Sequence, residues 1–133
     1  MTDDEIRMLA CLVIRQHRSA GEMITREGEE CRSLFFLAQG RVSVLSETNG
    51  RTLRLASYRA GVTFGEMALL SDQPQEANVV AETSIVLLEL TTDAFERLNC
   101  TQPVLGGKLM RNLAVELSFR LRCLDDRVRA LEA

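Results

Sequence analysis

The chain has 133 residues, 46% of them hydrophobic and 26% charged, with a formal net charge of −3. That length suits one domain with a sizeable core, and the acidic balance argues against the basic face that a nucleic-acid footprint needs. No run approaches the roughly 18 apolar residues of a membrane span, and the acidic start MTDDEIRMLACLV has the wrong sign for a secretory leader, so the chain reads as cytoplasmic.

The first element is a short helix within residues 1–12. Ile6, Leu9, Ala10 and Leu12 supply its apolar positions, and Thr2 stands as a cap before Asp3, Asp4 and Glu5. Negative charge there suits the positive end of the helix dipole. Residues 13–90 change texture: short apolar or alternating runs are cut by glycine turns every 8 to 12 residues or so. This spacing predicts an all-β sandwich or barrel and not βαβ units. Leu34-Phe35-Phe36-Leu37 reads as a buried strand, and Val42 and Val44 alternate with polar neighbours. Asn49-Gly50 then joins that run to the alternating Leu53 and Leu55, as a two-residue hairpin turn needing positive φ at both positions would. Two further strands are expected at Ala77 to Ala81 and Ser84 to Leu90, turning at Glu82-Thr83.

Residues 91–133 switch to helical period. Thr92 to Leu98 is a capped turn or two, and a long helix starts at Thr101-Gln102-Pro103, where proline is tolerated in the first turn. Its first half, carrying Leu105, Leu109 and Leu113, is expected to lie on the β-roll. Beyond it Ala114, Leu121 and Val128 fall at heptad position a, and Met110, Leu117, Leu124 and Leu131 at d. So narrow a seam flanked by charge predicts a coiled coil, hence a homodimer through this helix.

Cys11, Cys31, Cys100 and Cys123 are scattered without a Cys-x-x-Cys pair, and His17 is the only histidine. Metal-ligand spacing is absent. The thiols are expected in or near the core as small hydrophobes. Cys11 or Cys31 with His17 is the one nucleophilic pairing available, and nothing around them supports it. Ser33, Ser43 and Ser71 have no histidine to activate them, so no catalytic residues are expected.

AGEMITREGEECRSLFFLAQGRVSV (20–44) and FGEMALLSDQP (64–74), in this order and between these helices, resemble the cyclic-nucleotide-binding domain of catabolite-activator-type regulators, kinase regulatory subunits and gated channels. The resemblance covers nearly all of 1–133 as a single module. It implies a mainly β double-stranded β-helix, or jelly roll, with flanking helices and a phosphate-binding cassette at 63–75. By the same resemblance, Gly65 allows close backbone approach, Met67, Ala68 and Leu69 lie where a short helix presents amides, and Glu66 stands where a carboxylate accepts the ribose 2′-hydroxyl. A helix N-terminus suits an anion for electrostatic reasons.

Past the proline this sequence departs from the family's P-R-A-A-T/S. It reads Pro74-Gln75-Glu76-Ala77-Asn78, so the phosphate-pairing arginine is Gln75, with Glu76 beside it and Asn78 in place of the hydroxyl. Losing the charged partner of a buried ionic contact costs roughly 2–5 kcal/mol, on the order of 30- to several-thousand-fold in affinity. No basic residue occurs between Arg59 and Arg97; Arg51, Arg54 and Arg59 on the hairpin are the nearest candidates to compensate, and Ser118 and Asn112 are polar positions on the long helix able to cap a pocket.

The expectation is a regulatory sensor domain with weak or lost binding of cyclic AMP or cyclic GMP, and no resident cofactor or metal. Two alternatives stay open: a pocket retuned to a different, less anionic small molecule, and a ligand-free dimerisation scaffold. The output is expected to pass through the long helix to a fused or partner effector. Without the helix-turn-helix that DNA-binding relatives carry after that helix, binding of nucleic acid by this chain alone is not expected. A metal-dependent enzyme on the same scaffold needs several histidines, and one cannot build that cluster.

Overall fold

A computed structural model describes residues 2–30, 32–66, 71, 74–75 and 77–132, with the side chain of Leu124 outside that set. Helix α1 (Asp3–Leu12) opens the chain, eight strands follow, and helices α2 (Thr92–Thr101) and α3 (Pro103–Glu132) close it. The strands are β1 (Ile14–Arg18), β2 (Met23–Thr25), β3 (Ser33–Gln39), β4 (Arg41–Thr48), β5 (Arg51–Arg59), β6 (Thr63–Phe64), β7 (Asn78–Ala81) and β8 (Ile85–Thr91). They form two four-stranded sheets, β1-β8-β3-β6 and β2-β7-β4-β5, and every pairing is antiparallel. The Asn49-Gly50 turn has φ of 54° and 75°, the double positive value expected from the sequence.

Strand period two divides the apolar residues between two cores. Phe35 and Leu37 of β3, Val42 and Val44 of β4, and Ile85 and Leu87 of β8 meet inside the roll, where the Phe35 and Phe64 rings stack at 5.2 Å. Leu34 and Leu90 point the other way and are covered by Ala94 and Phe95 of α2 and Leu113 of α3. The first half of the long helix therefore packs on its own domain as expected, through Leu105, Leu109 and Leu113.

Helix α1 carries a full capping box: the Glu5 N–H donates to Thr2 Oγ1 at 3.2 Å, and the Thr2 N–H donates to Glu5 Oε1 at 2.9 Å. Yet none of its residues is buried. An ion pair from Lys108 Nζ to Glu5 Oε1 (2.7 Å) ties it to α3, above an apolar cavity of about 270 Å³ lined by Leu9, Val13, Leu34, Leu88 and Leu109. One sequence expectation fails here and at the far end of the fold. Cys11, Cys100 and Cys123 are exposed and not in the core; all three stand on helices, which flank the roll, whereas the core inside the roll is built from strand residues. Cys31 lies outside the described residues.

Candidate functional site

Strand β6 and the turn after it build one wall of a second, smaller cavity. Gly65 sits at φ +85°, and a Cβ there would come within 2.6 Å of the Ser33 carbonyl oxygen, so only glycine lets the chain pass β3 and turn. That turn delivers Glu66, which is only 6% exposed. Opposite it, Gln75 is also buried. Its backbone is fixed by two hydrogen bonds to the β2–β3 loop: its N–H donates to the Glu29 carbonyl at 2.9 Å and its carbonyl accepts from the Gly28 N–H at 2.9 Å.

Between these walls lies a cavity of about 110 Å³. Val44, Phe64 and Val79 form its apolar side, and Glu66, Gln75 and Arg120 its polar side. The sequence had placed Gly65, Glu66 and Gln75 at the site, and the fold brings them together. Asn78 is a correction: its Oδ1 accepts the Glu27 N–H at 2.7 Å, so it closes a loop instead of facing the cavity. Met67, Ala68, Leu69 and Glu76 lie outside the described residues.

Arg120 is the residue that sequence reasoning missed. It reaches in from α3, not from the hairpin that carries Arg51, Arg54 and Arg59. Its Nη1 donates to Glu66 Oε1 at 2.8 Å, and its Nη2 donates to the Thr63 carbonyl and to Glu116 Oε1, the latter at 2.7 Å. The guanidinium carbon stands 4.9 Å from the centroid of the Tyr58 ring, within cation–π range. Glu116 completes the network by accepting the Thr63 N–H at 3.0 Å and the Thr63 hydroxyl. Of the hairpin arginines, Arg54 is spent elsewhere: it joins Ser43 and Ser57 in donating to Glu82. Those bonds, the Ser43 hydroxyl first, hold Glu82 below the usual carboxylate range.

The electrostatics of the cavity are unusual for an anion site. Two carboxyl groups, Glu66 and Glu116, stand against the single guanidinium of Arg120. Burial pushes Glu66 above the ordinary glutamate range, with the Arg120 charge opposing that rise. Among the described residues, Glu66 Oε2 is buried and has no hydrogen-bond partner. The signal that pointed to Arg120 was present in the sequence. The sheet-facing leucines at 105, 109 and 113 continue in the same helical stripe to Glu116 and Arg120, so this polar pair faces the domain.

Comparison with known proteins agrees with this geometry. The family model described as cyclic nucleotide-binding domain matches residues 15–99. The chain belongs to the cyclic-nucleotide-binding domain family. A solved cyclic nucleotide-binding domain from Methylobacillus flagellatus superposes with a TM-score of 0.91 at 26% identity, covering 96% of this chain and 72% of that one. The catabolite activator protein of Thermus thermophilus gives a TM-score of 0.81 at 27% identity, over 99% of this chain and 61% of that protein. Among curated relatives, glutaminase 2 of Bradyrhizobium diazoefficiens is 38% identical over 98% of this chain and 20% of its own length. The cAMP-dependent protein kinase regulatory subunit of Neurospora crassa is 33% identical over 74% of this chain and 25% of its own. The domain thus spans a fifth to a quarter of these relatives. No helix among its described residues is long and apolar enough to cross a membrane.

Proposed function

We propose that this chain is a cytoplasmic, non-catalytic regulatory sensor whose pocket keeps the sugar-binding carboxylate of its family but not the phosphate clamp. Cyclic AMP and cyclic GMP then bind weakly, and the state of the pocket passes along α3 to a second copy of the chain and to a fused or partner effector. One observation carries the reading: a single guanidinium, Arg120, joins the long helix to the site carboxylate Glu66 and to the Thr63 carbonyl of β6. Whatever disturbs Glu66 disturbs the seat of α3.

The weak-binding part is supported by Gln75 at the family's arginine position and by the engagement of Arg120 with two carboxylates. An effector is supported by relatives in which this module is a minor part of a longer protein. The dimer is supported by the exposure of Leu121, Val128 and Leu131 on α3.

Calorimetric titration tests the ligand half. Cyclic AMP and cyclic GMP are expected to bind no tighter than high micromolar, and Gln75→Arg to tighten cyclic AMP by about 30-fold or more, the lower end for a regained buried ionic contact. A sub-micromolar dissociation constant in the unaltered chain would overturn the reading of Gln75.

A further inference from the structure

The outer face of β3 and β8 is apolar by strand period: Leu34 pairs with Leu90, and Phe36 with Leu88, on one side of the sheet. Helices α2 and α3 cover the Leu34–Leu90 end of that face. Beside them stands α1, which buries none of its own residues. A helix laid on a sheet normally closes to the density of an organic crystal, with few voids larger than a water. Here the layers leave the apolar cavity of about 270 Å³ instead, with Leu34 and Leu88 as its floor, Leu9 and Ala10 of α1 on one side and Leu109 of α3 on the other.

Among the described residues, Thr63 is the one lining residue with a polar side chain, and α3 has already taken its hydrogen-bonding groups. Its N–H and hydroxyl donate to Glu116, and its carbonyl accepts from Arg120. A water needs about two to four polar partners to settle in a cavity, and these side chains offer none. The cavity is not sealed either: Ile6 and Phe36 line it and are 53% and 37% exposed, which leaves a way in between α1 and the sheet. Glu5 and Lys108, next in sequence to the lining residues Ile6 and Leu109, pair at 2.7 Å, so an acidic ligand would have to displace an existing ion pair.

Size narrows the choice. An apolar cavity of roughly 150 Å³ holds benzene, so about 270 Å³ has room for two fused rings. The Phe36 ring on the rim favours a flat aromatic partner, which it can meet edge-on or offset.

We infer that the cavity beneath α1 is a second ligand site, separate from the Glu66 cavity, for a small uncharged aromatic molecule of one or two fused rings. Thr63 is the wall between the two sites, since it lines this cavity while its polar groups join the Arg120 network of the other. The site stands whatever the Glu66 cavity binds.

Calorimetry on the unaltered chain with indole, indole-5-carboxylate and n-octanol tests it. Indole is expected to bind once per chain with a dissociation constant on the order of 0.1 mM. Indole-5-carboxylate should bind at least about 10-fold more weakly, because its charge gives up hydration without a partner. Ala10→Phe fills the cavity from a position already exposed on α1, so the fold is kept, and it should weaken indole at least about 10-fold. Methyl NMR of the unaltered chain locates the site without any variant: indole should shift Leu88 and Leu109 before other methyl groups. No binding of indole at millimolar concentration, equal affinity in Ala10→Phe, or competition by cyclic AMP overturns the second site. So does an indole affinity that falls as chain concentration rises, which would mean that a second copy fills the cavity. Tighter binding of n-octanol than of indole overturns the aromatic assignment.

Discussion

The two halves of α3 obey different rules although one continuous helix carries both. From Pro103 to Leu113 the helix is seated: Leu105 and Leu113 are buried against α2 and the β-roll, and Gly106 lies so close to Asn99 that a Cβ would meet its Oδ1 at 2.1 Å. From Ala114 onward Leu121 and Leu131 turn outward, 65% and 88% exposed, while Leu117 is half-buried. Glu116 and Arg120 stand at the handover, where the domain-facing stripe changes from apolar to charged. The comparison teaches that attachment to the domain and availability to a partner are separated along the helix, with the candidate site at the boundary.

Truncating the seated half should have the largest effect. Leu105→Ala is expected to cost about 2–5 kcal/mol in urea unfolding, as large-to-small core changes do, whereas Leu131→Ala should stay within about 0.5 kcal/mol. Equal costs would erase the distinction between the halves. Next is the boundary: Arg120→Ala should cost roughly 1–3 kcal/mol, below the range for a fully buried pair because the side chain is 23% exposed. Its specific mark is faster amide exchange in the α3 turns beyond Leu113.

In the outward half, Leu121→Glu should leave the unfolding free energy of the monomer nearly unchanged and abolish the dimer in sedimentation at micromolar concentration. A unaltered chain that sediments as a monomer there would remove the dimer from the account.

The smallest expected effects are on pH. Glu66 is raised, so the folded chain holds its proton more tightly than the unfolded chain, and stability declines as pH rises above the ordinary carboxylate range. Glu66→Gln should flatten that decline. Glu5 has the opposite sign: the Lys108 contact lowers it to about 2, so its contribution is present at neutral pH and is lost as the solution is acidified toward that value. A stability profile rising through neutral pH in a Glu5→Gln background would contradict the sign given to Glu66.

Much of the architecture was legible locally. The Asn49-Gly50 turn, the alternation in β4 and β5 and the break between roll and helices are near-neighbour patterns, and near-neighbour physics creates them. Gly65 and Glu66 were legible through the contiguous pattern FGEMALLSDQP (64–74), which carries the family resemblance within a few neighbouring residues. Arg120 was legible only as a charge continuing the domain-facing stripe of its helix, since its meaning comes from Glu66, 54 residues away. Asn78 was misread for the converse reason: its partner Glu27 lies across the strand pair β2–β7, a contact its neighbours in sequence do not announce. The cysteines were placed inside by their average behaviour, and helices with a solvent side put three of them out.

Strand β5 has a consequence beyond the pocket. Among the described residues it ends its sheet and pairs only with β4, so one rim of the roll carries backbone groups outside the ladder with Leu53 and Leu55 exposed beside them. Arg51, Arg54 and Arg59 are spaced along that rim. Positive charge on an open edge keeps a like edge from zipping onto it. Basic side chains along such a rim oppose that pairing, and one of the three, Arg54, is ion-paired with Glu82 at 2.6 Å.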